Sequence, residues 1–271
     1  MDPKPTSSGI TIPGAIIIAA AIIAMALIYI LRPVSPAPVA AIQPANNIQL
    51  SPIVADEHIF GNPSAPIKIV EFSDPSCPYC KSFNPTMTDI MTTYGPSGNV
   101  AWVYRHFPLD AIHKNARHEA QALECASSLG GNTKFWAFEK MLYDKTPSVT
   151  GETPDGLDQK QLPVFAKAIG LDEVAFNDCL ASNSFKDKIQ AQSLDGINAG
   201  VNGTPTSFIV LAQPAGATID STISQLLLTY RIPKDMLYMS DDKKVIALTG
   251  ALPEALIKTI LDAVIAGLPT K

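Results

Sequence analysis

The sequence has no basic stripe. Its 271 residues hold 20 Lys and Arg against 25 Asp and Glu, a formal charge of −5, and the basic residues are scattered. Nucleic-acid proteins cluster Lys and Arg on one face, so no nucleic-acid partner is expected. A polybasic patch for anionic lipid headgroups is missing too. There is one Cys-x-x-Cys but no second one and no paired-histidine motif, so a zinc site would lack two of its ligands. Residue 81 is Lys, where c-type haem attachment needs a His after the second cysteine. No metal and no organic cofactor is therefore expected. No internal repeat is visible. At 46% hydrophobic and 17% charged residues, the chain is neither disordered nor collagen-like. Its length suits one large domain or two small ones.

What is present begins at the N-terminus. After a short tail, residues 1–9, Ile10 to Leu31 runs 22 residues without a charge. That is about the length needed to cross ~30 Å of hydrocarbon. Tyr29 and Arg32 suit the interface as anchors. The expectation is a single uncleaved membrane helix at 10–31. A cleaved signal peptide is the rival, with Val39-Ala40-Ala41 as a weak cleavage site. Charge sets orientation only weakly: Lys4 before the segment and Arg32 after it lean towards the N-terminus inside. Residues 32–54 hold many prolines among Ala, Val, Gln and Asn, which reads as an extended linker. Residues 55–271 are long enough for one well-buried core.

Within that part, Ile67 to Phe72 is a β-branched and aromatic run, expected as a strand. A helix is expected after Cys77-Pro78-Tyr79-Cys80, to about Tyr94, and a second strand over 100–107. From His113 to about Ala199 the period is helical, broken at Gly130-Gly131. Further helices are expected over 134–143, 162–169, 172–180 and 185–198. Two strands, 207–211 and 245–248, and a helix over 253–266 close the chain. The fold class is α/β, with a helical block inserted between a strand–helix–strand half and a strand–strand–helix half.

Pro78 favours the first helical position, which puts Cys77 at the N-cap. Unpaired backbone N–H groups and the helix dipole there favour thiolate over thiol. Cys80 lies one turn further on, where its sulfur can meet that of Cys77. Cys77 is the expected nucleophile and Cys80 the resolving partner. A structural disulfide and a zinc half-site remain as alternatives.

These residues resemble the thioredoxin superfamily, and more closely its DsbA-like branch with a helical insertion. Phe72 to Cys80 is similar to that family's strand-to-active-site run. Glu71, six residues before Cys77, matches its buried carboxylate, which implies proton relay to the resolving cysteine. Pro85 matches the helix-kinking proline, and Arg105-His106-Phe107-Pro108-Leu109 the end of the second strand. Gly203-Thr204-Pro205-Thr206 resembles the cis-proline loop. Thr204 and Pro205 are thereby implied to face the cysteines and, with Tyr79, to bind substrate. The resemblance covers 56–211 and 243–267.

The resemblance implies a thioredoxin fold with a helical insertion over 113–199, and a protein thiol–disulfide oxidoreductase outside the cytoplasm. The expected role is an oxidase of cysteine-containing secreted or membrane proteins, reoxidised by a membrane quinone-linked protein. Pro-Tyr between the cysteines does not set direction, so an isomerase or reductase remains open. With Cys77 and Cys80 paired, Cys125 and Cys179 are left as a structural disulfide, or else as two buried thiols. Where the family has a short hairpin, residues 212–242 hold an apolar stretch. It is either a satellite helix on the domain's own core or a partner surface, the latter serving a redox-inert binding module. His58, His106, His113 and His118 show no metal-ligand spacing, and His113 reads as a helix-start residue.

Overall fold

The computed structural model describes residues 47–146 and 157–268, all within the unit Gln43–Lys271. The expected membrane segment at 10–31 lies outside them. Among the described residues no helix is long and apolar enough to cross a membrane.

The strands are β1 (His58–Gly61), β2 (Ile67–Ser73), β3 (Val100–His106), β4 (Thr206–Leu211), β5 (Leu237–Met239) and β6 (Val245–Thr249). They form one sheet of order β1-β3-β2-β4-β6-β5, in which only the β2–β3 pair is parallel. The helices are α1 (Pro78–Tyr94), α2 (Ala116–Lys145), α3 (Gln161–Ala168), α4 (Glu173–Ser182), α5 (Lys186–Asn198), α6 (Thr218–Tyr230) and α7 (Glu254–Ala266). The result is a thioredoxin-like α/β fold in which α2 to α5 form an inserted helical block between β3 and β4.

Side chains alternate across a strand, and β2 shows what this does. Ile67 and Ile69 join the larger apolar core, and Val70 and Phe72 join the smaller one on the opposite face. Glu71 shares the parity of Ile69, so it points into the larger core. That core is filled from α1 by Phe83, Met87, Ile90 and Met91, which recur at helical spacing, and from α7 by Leu256, Ile257, Ile260, Leu261 and Val264.

The helical stop at Gly130-Gly131 is a break rather than an end. Gly131 has φ +73° and ψ −173° inside α2. Two short strands were not legible in the sequence. β1 has four residues and β5 three, and each is a strand because a neighbour supplies its ladder. The apolar stretch 212–242 forms α6 and β5, with Ile219, Ile223, Leu226 and Leu237 in the larger core. The end of the expected linker also differs: Ile48, Leu50 and Ile53 pack against the smaller core. Beside them Gly196 of α5 comes so close to Phe107 and Phe72 that a Cβ there would stand 2.7 Å and 2.9 Å from their rings.

Candidate active site

Strand β2 ends at Ser73, and a tight turn carries the chain into α1. The Cys77 N–H donates to the Asp74 carbonyl at 3.0 Å. The Asp74 carboxylate is fully buried and fixes the turn from both sides. Its Oδ1 accepts the Ser76 N–H at 2.7 Å, and its Oδ2 accepts the Leu109 N–H at 2.8 Å. His113 Nδ1 lies 2.8 Å from the same Oδ2. Cys77 is the N-cap of α1, with Pro78 in the first turn.

Cys77 and Cys80 are free thiols, 3% and 0% exposed. The Thr204–Pro205 peptide bond is cis. The loop containing it faces Cys77, whose Sγ donates to the Thr204 carbonyl at 3.4 Å. Thr204 Oγ1 is buried with no partner among the described residues, so its O–H is available to a sulfur that has lost its proton.

The two sulfurs are electrostatically unequal. The Cys80 thiol hydrogen-bonds to Cys77 and brings its pKa down to about 6, against burial; Thr204 and the N–H groups of Cys80 and Tyr79 add to the lowering. Burial pushes Cys80 well above the ordinary thiol range, and a Cys77 thiolate pushes it the same way. Glu71 is raised to about 7, chiefly by burial, with Ser73 and Trp102 opposing. Its Oε2 has no partner among the described residues.

A family model described as Thioredoxin matches residues 54–223, from before β1 into α6. The chain belongs to that family. Several solved structures share its fold. BdbD from Bacillus subtilis, in its oxidised form, superposes with a TM-score of 0.58 at 19% identity, covering 80% of this chain and 98% of BdbD. Alpha-DsbA1 from Wolbachia pipientis gives 0.57 at 21% identity, covering 82% and 98%. DsbA2 from Pseudomonas aeruginosa gives 0.53 at 20%, covering 78% and 96%. At these identities the likeness is one of fold. Among curated proteins, a Na(+)/H(+) antiporter of Salinispora tropica, NhaA 3, is 31% identical over 154 residues. The chain spans 21% of that antiporter's length, so the match concerns a small part of it.

Cys77, Cys80, Glu71, Thr204 and Pro205 come together from three separate stretches. Tyr79 stands in the first turn of α1, 67% exposed. Cys125 and Cys179 are joined by a disulfide with S–S 2.07 Å, linking α2 to α4.

The sequence did not reveal the groups that surround this site. His113 is wired to the active-site turn through Asp74, 39 residues away, rather than acting only at a helix start. Ser76 Oγ donates to Glu119 Oε2 at 2.6 Å, tying the same turn to α2. Tyr143 meets Ser73 Oγ at 3.0 Å from α2, and Glu139 lies buried against Asn84 of α1. Sequence spacing also hid a second cluster. His58 Nε2 and His106 Nε2 both lie on Glu124 Oε1, at 2.8 Å and 3.0 Å. Their three ligand-type atoms are within 4.8 Å of one another. The Lys188 ammonium sits 2.9 Å from Glu124 Oε2, so a positive charge already rests on that carboxylate. Burial opposes ionisation of Glu124, but the bonds with His106 and His58 hold its carboxyl below the usual range.

Proposed function

We propose that the chain is an extracytoplasmic protein thiol–disulfide oxidoreductase, acting as an oxidase on cysteine-containing secreted or membrane proteins. The observation that carries this reading is the inequality of Cys77 and Cys80. A stabilised thiolate favours the reduced form, and a stable reduced form makes the disulfide a strong oxidant.

The reaction follows from the site. A client thiolate attacks Cys77 Sγ in the Cys77–Cys80 disulfide, and the S–S bond breaks. Cys80 leaves as a buried thiolate of high basicity. Glu71, which keeps its proton up to about pH 7, is the proton source for it. A second client thiolate then attacks the client sulfur of the mixed disulfide, and Cys77 leaves as thiolate. The client loses two electrons and the enzyme gains them. Thr204 and Pro205 line the approach to Cys77, and the exposed Tyr79 ring offers clients an apolar contact. A membrane quinone-linked protein would restore the disulfide. The Cys125–Cys179 pair fits an oxidising compartment, and the apolar segment 10–31 fits a membrane anchor.

The reduction potential of Cys77/Cys80, measured in glutathione buffers, tests the direction. A value near about −120 mV is expected; one near about −270 mV would make the protein a reductant. Cys77→Ser is expected to abolish mixed disulfides with a cysteine peptide, whereas Cys80→Ser traps them. Formation of mixed disulfides by Cys77→Ser would remove Cys77 as the nucleophile.

A further inference from the structure

We propose that His113 is a positioning residue for the nucleophile: its imidazolium, held by Asp74, supplies the positive charge that lets Cys77 persist as a thiolate. The inference rests on Cys77 being the attacking sulfur and says what sustains it.

The argument begins with Asp74. A carboxylate with no exposure sits three residues before Cys77, on the turn whose backbone bond closes onto Cys77. A buried negative charge there opposes a second one on the sulfur, because a low effective dielectric leaves the repulsion poorly screened. Among the described residues three hydrogen bonds reach this carboxylate, and two come from the backbone N–H groups of Ser76 and Leu109, neither of which brings charge. The third contact is His113 Nδ1 at 2.8 Å.

Three other basic side chains of α1 and α2 have partners away from the turn. Lys81, on α1 beyond Cys80, donates to the Thr146 carbonyl. Arg117 pairs with Asp110 at 2.6 Å, and His118 Nδ1 meets Gln159 Oε1 at 2.8 Å. Among the described residues, the ionisable groups that raise His113 are Asp74 from the turn, Cys77 at the N-cap of α1 and Glu119 from α2. Glu119 is raised by burial and is held by Ser76 and Gln159, which weakens its claim on the imidazole. The hydrogen bond to Asp74 raises His113, burial opposes this, and the charges of Asp74, Cys77 and Glu119 add to the raising.

The placement of His113 makes the arrangement rigid. Ile112 N–H and His113 N–H both donate to the Leu109 carbonyl, at 3.0 Å and 2.9 Å. Leu109 N–H is itself bound to Asp74 Oδ2. The turn that carries the imidazole is therefore pinned to the carboxylate it neutralises. Asp74 takes Nδ1–H, so the positive charge is shared out to Nε2 on the other side of the ring.

The test uses the full chain in its reduced state. The rate of Cys77 alkylation by iodoacetamide is followed against pH by mass spectrometry. Wild type is expected to show a midpoint near 6. His113→Asn keeps a donor for Asp74 and removes the charge. It is expected to raise the midpoint by about one pH unit, an alkylation rate about tenfold slower at pH 5. His113→Lys is expected to restore the wild-type midpoint. An unchanged midpoint in folded His113→Asn would overturn the proposal and leave His113 as a structural tie. An ordinary thiol midpoint in wild type would instead overturn the activated-nucleophile reading of Cys77. A second measurement needs no variant. Coupling is reciprocal, so the His113 NMR titration should move to lower pH when Cys77 and Cys80 are oxidised. Equal His113 midpoints in the two redox states would also overturn it.

Discussion

Glu71 faces the larger core from β2, and that burial gives the fold a pH dependence of known sign. In the unfolded chain the carboxyl loses its proton near 4.5, and in the folded protein it keeps it to about 7. The folded pKa is raised, so stability is highest below 4.5, falls as pH rises to about 7 and is level above. The difference corresponds to about 3 kcal/mol at neutral pH and above. Glu71→Gln is therefore expected to raise the thermal midpoint at pH 8 and leave it unchanged at pH 4. The same variant should slow thiol–disulfide exchange by about 10²-fold, the usual worth of a placed proton donor. Calorimetry at the two pH values and stopped-flow exchange with a cysteine peptide check the two halves. The burial of Glu71 was legible through the resemblance, because its spacing from Cys77 is local. The partner of His113 was not, because nothing near residue 113 points to residue 74.

Among the elements, the inserted block shows which signals survive folding. The apolar period predicted α3, α4 and α5 to within a residue or two, since each buries one face against its neighbours. Phe138 of α2 and Phe176 of α4 stack at 5.4 Å between ring centroids. The Cys125–Cys179 disulfide closes a 54-residue separation between these same helices. Replacing both cysteines by Ala is expected to lower stability by at most about 4 kcal/mol through the freed unfolded chain. Urea denaturation reads that loss, and Cys77 alkylation should be unchanged. The stretch 212–242 was ambiguous for a physical reason. Its apolar residues predict a helix but do not say what it packs on. β5 carried no signal of its own: its pairing of Leu237 with Leu248 is a property of β6 as much as of β5.

At the scale of the whole molecule, the sheet's second face is covered in part by the segment just before β1. Residues 48–53 cross the smaller core, and buried Arg105 holds them there. Its guanidinium pairs with Glu57 at 2.7 Å and Asp195 at 2.6 Å and donates to the Ser51 carbonyl at 3.0 Å. Ser51 N–H in turn donates to Asp195 Oδ1 at 2.8 Å. Arg105→Ala would leave two carboxylates without their cation in a covered site. The expected loss is about 3–5 kcal/mol. It would be read as a lower urea midpoint together with faster hydrogen exchange at Ser51 N–H.

Local chemistry is written along the chain: a Cys-x-x-Cys opening a helix behind a strand, a carboxyl one short strand segment upstream, and the helical period of the insertion. Each of these depends on neighbours within a few residues, where backbone geometry fixes which side chains meet. The charges around that chemistry come from packing between distant segments. Asp74 finds His113 39 residues on, Glu124 finds His58 66 residues back, and Ser51 finds Asp195 144 residues on. Buried polar groups must be paired or cost several kcal/mol, so the fold selects these partners. Their choice rests on which surfaces packing brings together, and no period in the chain encodes that.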